Sequence, residues 1–462
     1  MCEFRYTDME ALCVELPEDI KKKKWHGDFE GAIRLIDLWL EKDIPEQQKA
    51  KLRLERHILM ILPKEYTLTF TEAFEQLQEI VPDITEEEFY QLKDEGKIDW
   101  MYVNGEERYF RRFLSTLRKV NPMIQARERV AHKEKDPIDV LEKKELIDVI
   151  QKVKQTKTVT YEFRIRASVK IKEESFQKGL VRVHIPLPIT CQQVKNVRIV
   201  ATSSDNYTIA EETAPQRTIC FEEELTKNKE FFVEYEYENT VHYVEPKPEE
   251  VKPVSLDLFQ AELQEQLPHI RFTPYLTSLA HKLTKDETNP LLKAANIYDY
   301  ITKKIEYSFM REYITIENIP EYAALGQKGD CGVQALLFIT LCRIANIPAR
   351  WQSGLYVTPY TAGSHDWAQF YIEPYGWLFA DCSFGGSTVR DGDEERRRFY
   401  FGNLDPFRMP ANSEFQMEFT PKKKFLRADP YDNQRGEVEY EDRGLRYYEF
   451  DSEKTIVSSR CK

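Results

Sequence analysis

The hydrophobic period of this chain changes twice, and no single-class fold accommodates both changes. From Asp28 to Val120 apolar residues recur at helical spacing, as in Phe29, Ala32, Ile33, Ile36 and Leu40. From Val159 the pattern becomes strict alternation through Tyr161, Phe163, Ile165, Ala167, Val169 and Ile171, and LVRVHIPLP, VKNVRIVA, RTICFEEEL and EFFVEYEYENTVHYV continue it. The Pro-rich, charged EPKPEEVKPV marks a linker, after which helices return and are followed by short strands. With 462 residues the chain has room for several domains. The expected organisation is an α-helical module with one hairpin at 1–157, an antiparallel β-sandwich at 158–245, and an α+β core with a C-terminal extension at 246–462.

Local signals sharpen the first region. Thr69 with Glu72, and Thr85 with Glu88, have capping-box spacing, and Asn104-Gly105 between alternating segments predicts a tight hairpin. A helix followed by a hairpin suggests a DNA-binding wing, but acidic residues crowd it. The favoured reading is a helical adaptor used for partner contact or for covering the other domains. The stretch Ala126 to Lys157 is charged and weakly amphipathic, a connecting helix with a solvated face.

Charge and cysteine usage narrow the function. A net charge of −13 opposes attraction to phosphate backbones, so no nucleic-acid partner is expected. The eight cysteines are scattered without CxxC pairs, indicating neither a zinc site nor a stapled secreted fold, and a reducing, cytoplasmic setting follows. The N-terminal stretch lacks the apolar region of a signal peptide, and the longest apolar run, ALLFITLCRIANI, is broken by Arg343, so no membrane association is expected. DGDEE, Asp391 to Glu395, lacks calcium-loop spacing and reads as a charged surface loop. No metal or cofactor is expected, and the oligomeric state stays open.

The chemistry concentrates in the third region. KGDCGVQALLFITLCRIANIPAR places Cys331 at the first residue of an apolar helix, with Gly329 permitting close approach and Asp330 positioned to cap. The helix dipole favours a thiolate there, Asp330 opposes it, and an imidazolium partner is the usual remedy. His365 lies in SHDWAQFYIEP, where alternation puts His365, Trp367, Gln369 and Tyr371 on one strand face. GWLFADCS reads as the next strand, ending near Asp381, so two antiparallel neighbours could set Asp381 beside His365. Each residue alone has a bland reading as core thiol, hydrogen-bonded histidine or turn cap; together they point to nucleophilic catalysis. Cys342 and Cys382 are expected to face away from the site, and FGNLDPFRMP and the tail to wrap the core or line a cleft.

GDCGVQALLFITLCRIANIPARWQSG, the HDW segment and GWLFADCS together resemble the three blocks of the transglutaminase-like superfamily core, relatives of the papain-like thiol enzymes. The resemblance spans about Leu291 to Gly386 and implies an α+β cysteine-proteinase-like fold. It implies Cys331 as nucleophile, His365 as general base and acid, and Asp381 as orienting carboxylate. It further implies an oxyanion site made by the nucleophile's own N–H and an upstream side chain, for which Tyr307 is the candidate, with a plain core role as its alternative. Asp366 departs from the small residue usual after the histidine, and alternation points it to the opposite face. The expected activity is cysteine-dependent acyl transfer, hydrolysing peptide or amide bonds of a protein or peptide substrate through a thioester. The alternatives are a protein-glutamine transglutaminase with an amine acceptor, and a noncatalytic protein-interaction scaffold.

Overall fold

A computed structural model of the chain describes residues 6–128 and 137–462. Cys2 and residues 129–136 of the Ala126–Lys157 stretch lie outside the described residues. In the N-terminal region both capping boxes form: Thr69 caps the helix Phe70–Ile80 and Thr85 caps Glu86–Asp94. Asn104 and Gly105 both take positive φ, the left-handed pair a tight hairpin needs, between strands Trp100–Val103 and Glu106–Phe110. Tyr66–Leu68 adds a third strand to this hairpin. The connecting helix Pro137–Thr156 is less solvated than its composition suggests, because Leu146, Val149, Ile150 and Val153 are buried. Its Glu145 accepts from Tyr161 of the sandwich, and its Glu142 accepts from Thr358 of the core.

The alternating segments form two antiparallel sheets. One pairs Thr158–Ile171 with Glu230–His242 and then Val194–Thr202; the other pairs Gly179–Pro186 with Thr218–Leu225 and then Tyr207–Ile209. The sequence ends this sandwich at 245, yet each sheet takes a further strand from the other end of the chain. Glu437–Tyr440 pairs with Gly179–Pro186, and Phe450–Cys461 runs along Thr158–Ile171. Within the 246–462 region, therefore, the last strands belong to the sandwich sheets. Phe450–Cys461 is an edge strand with only Phe450 buried, so little hydrophobic alternation announces it.

The core packs helices against a five-stranded antiparallel sheet whose order is Phe401–Gly402, Gly376–Ala380, Ala362–Ile372, Ala349–Val357 and Arg408–Asn412. The three inner strands are those expected from sequence, whereas both edges come from FGNLDPFRMPAN. Thr273-Pro274 and Asn289-Pro290 open helices with a side-chain cap and proline in the first turn. The helix Cys331–Ile344 is buried from Gly332 through Arg343, which makes it the centre of the core. Gln193, next to a sandwich strand, donates to Gln352, and Asn239 donates to the Arg408 carbonyl, so sandwich and core share buried polar contacts.

Candidate active site

Cys331 occupies the first turn of its helix because Asp330, directly after the strand Lys328–Gly329, caps it. The Asp330 carboxylate accepts from the Val333 N–H at 3.2 Å and from the Tyr313 hydroxyl. Lys328–Gly329 pairs in parallel with Glu306–Tyr307, which brings Tyr307 beside the helix start. A Cβ at Gly329 would lie 2.3 Å from Val333 Cγ1, so a side chain there would disturb the first turn.

His365 stands on strand Ala362–Ile372, opposite Gly354. Its Nε2 lies 2.7 Å from Asp381 Oδ2. Asp381 does not continue the strand, as the sequence suggested; it is the N-cap of helix Cys382–Asp391, accepting from the Phe384 N–H and the Ser383 hydroxyl. Arg408, with no apparent role in sequence, donates to Asp381 Oδ2 at 2.8 Å through Nη2 and to Asp405 Oδ1 at 3.0 Å through Nη1. Asp381 and Arg408 are both fully buried. Burial pushes the Asp381 carboxyl up, but the His365 and Arg408 charges outweigh it and hold it well below the usual carboxylate range. An ionised carboxylate only accepts, so Nε2 carries the imidazole proton and Nδ1 is left as the basic nitrogen. Burial lowers the His365 pKa and the Asp381 charge raises it, with a net downward shift.

Cys331, His365 and Tyr307 line one cavity of about 330 Å³. Among the described residues, however, the thiol's hydrogen bond goes to Asp366 Oδ2 at 3.2 Å. The expectation that Asp366 faces away from the site is overturned. The start of the Cys331 helix reaches Asp366: a Cβ on Gly332 would lie 2.8 Å from Asp366 Oδ2. Gln434, from the C-terminal segment, donates to the His365 carbonyl at 3.2 Å and to Asp366 Oδ1. Burial, then the charges of Asp366 and Asp330, push the Cys331 thiol well above its ordinary value. In this arrangement these effects oppose the helix-terminus advantage for a thiolate. Burial also raises Asp366 to about 7 and Asp330 to about 6.

Tyr307 is largely buried, and burial, Cys331 and Asp330 keep its hydroxyl protonated, hence a donor. Cys342 and Cys382 are buried in the core. Asp391 pairs with Lys143 and Arg396. Arg408 and Gln434 are among the site residues that sequence reading did not single out; the trace of Arg408 in the sequence is a lone cation in an aromatic, Pro-rich segment.

Residues 277–382 match the family described as the transglutaminase-like superfamily. An uncharacterised protein of Haemophilus influenzae is 22% identical over 267 residues, covering 49% of this chain and 72% of that protein. Among solved structures, a candidate cysteine protease from Cytophaga hutchinsonii is 12% identical with TM-score 0.41, covering 66% of this chain and 90% of the other. The periplasmic domain of TgpA from Pseudomonas aeruginosa is 12% identical with TM-score 0.28, covering 54% and 95%. No described helix is long and apolar enough to cross a membrane.

Proposed function

We propose that this chain, whose residues 277–382 form a transglutaminase-like domain, is a cysteine-dependent acyl-transfer enzyme that hydrolyses peptide or amide bonds. The observation that carries the reading is the buried Arg408–Asp381–His365 chain beside the cavity that His365 and Cys331 both line; with Nε2 on the carboxylate, Nδ1 is the proposed base. In the proposed cycle the Cys331 side chain leaves Asp366 and turns toward Nδ1, which takes its proton. The thiolate attacks the carbonyl carbon, the C–N bond breaks as His365 returns the proton to the leaving amine, and a thioester remains. His365 then activates water, which releases the acid and restores the thiol. Asp381 keeps the ring in one tautomer and stabilises the imidazolium. The Cys331 N–H and the Tyr307 hydroxyl are the proposed donors to the oxyanion.

A reducing, cytoplasmic setting is proposed from the scattered cysteines, which form no CxxC pairs in the sequence. The test incubates the full chain and its Cys331→Ala variant with casein and dansylcadaverine. Peptide release that requires Cys331, without dansyl incorporation, is expected. Incorporation of the amine would favour the transglutaminase alternative instead. Neither reaction, together with slow and uniform alkylation of all cysteines, would favour a scaffold.

A further inference from the structure

Two cations stand at the mouth of the Cys331 cavity, on a protein that is strongly anionic overall. Lys119 comes from helix Phe113–Val120 of the N-terminal module, and Arg390 from the last turn of the helix that Asp381 caps. Both residues reach solvent while their charged ends are partly desolvated against their neighbours, and neither has an ion-pair partner among the described residues. The acids nearest Arg390 are engaged elsewhere: Asp391 with Lys143 and Arg396, and Glu306 with Lys97.

Lys119 is nevertheless held in place. Its Nζ sits 3.9 Å from the centroid of the Tyr307 ring. Its helix is docked by Thr116, whose hydroxyl accepts from the Phe309 N–H at 3.2 Å, and by Arg112, 3.7 Å over the Phe309 ring. Burial depresses the Lys119 ammonium, a charged Cys331 would raise it, and Arg390 and Arg112 depress it further. Two like charges on one cavity wall, neither in an ion pair among the described residues, are stabilised by an anion that enters between them.

We propose that Lys119 and Arg390 form a carboxylate-binding rim that selects substrates carrying a carboxylate next to the scissile amide. The rim rests on Cys331 being the nucleophile and gives the N-terminal module a role in substrate choice. The carboxylate could be an Asp or Glu side chain or a free peptide C-terminus.

Three alkylating probes separate these sources: N-iodoacetylglycinamide, which is neutral; N-iodoacetylglycine, with a terminal carboxylate; and N-iodoacetylglutamic acid α-amide, with a side-chain carboxylate. In each, the Cys331 sulfur displaces iodide, forming C–S as C–I breaks, and the thiol proton is lost to the base. Rates at Cys331 in the full chain are read by mass spectrometry against the free thiol N-acetylcysteinamide. One of the anionic probes should outpace the neutral probe at Cys331 relative to the free thiol, and the faster one identifies the source. That ratio should fall about tenfold in the Lys119→Gln, Arg390→Gln double variant and with added salt, and survive in Lys119→Arg. A ratio equal to that of the free thiol, or one indifferent to the double variant, would overturn the rim while leaving the nucleophile intact. A Cys331 inert to all three probes until urea unfolds the chain would overturn both.

Discussion

At the scale of single residues, Asp366 decides the resting state of the sulfur. Its carboxylate accepts the thiol's hydrogen bond and, after burial, contributes most to raising the thiol pKa. Asp366→Asn removes that charge while keeping the shape. The iodoacetamide rate profile of Cys331 should therefore move to lower pH by about one unit, equivalent to about 1.4 kcal/mol. An unmoved profile would mean that the contact does not hold the proton. The same residue links to stability. Its folded pKa is raised from 3.8 to about 7, so between those values the folded state keeps a proton that the unfolded chain releases. This group's contribution is fully present below the lower value and is lost as pH rises through the upper one. Urea midpoints of the parent should fall from about pH 5 to about pH 7.5 by more than those of the Asn variant. Arg408→Met leaves Asp381 and Asp405 buried without their cation and should cost about 3–5 kcal/mol in urea unfolding.

Between elements, the site depends on how closely the strand Arg408–Asn412 approaches Ala349–Val357. Gly354, which faces His365 on one side and Pro410 on the other, has no room for a side chain: a Cβ would meet the Met409 carbonyl oxygen at 2.1 Å. Because the obstacle is backbone, Gly354→Ala must push the edge strand away and carry Arg408 from Asp381. A fall in Tm with loss of Cys331-dependent activity is expected; an unchanged Tm would show that the strands tolerate the separation. The elements also mark where sequence was informative. Thr69, Thr85, Asn289 and Asn104-Gly105 were legible because caps and turns are local, formed within a few residues. The placement of Asp381 as a helix cap was not, since a strand end and an N-cap share the same residue preferences.

Across the whole molecule, the C-terminal segment closes what the sandwich and core leave open. Glu437 accepts from Lys423 and from the Ala428 and Asp429 N–H groups, fixing the loop from which Gln434 reaches the His365 carbonyl. Ending the chain at Arg435 removes the strands at 437–440 and 450–461, exposes an edge on each sandwich sheet and frees that loop. The truncated protein should aggregate or be cut by trypsin within the sandwich, as followed by size-exclusion chromatography and gel analysis. Recovery of an intact, protease-resistant monomer would argue that the sandwich closes without these strands.

Taken alone, the sequence determined the three regimes of structure, the helix that starts at Cys331, and the strand carrying His365, because hydrophobic period and capping chemistry act over a few residues. Only the tertiary structure decided that Asp366 reaches the thiol, that Arg408 anchors Asp381, and that Lys119 stands at the cavity mouth. Those contacts join parts of the chain distant in sequence. Charged groups meeting at a buried site obey burial and Coulomb energy, which leave no periodic signature along the chain.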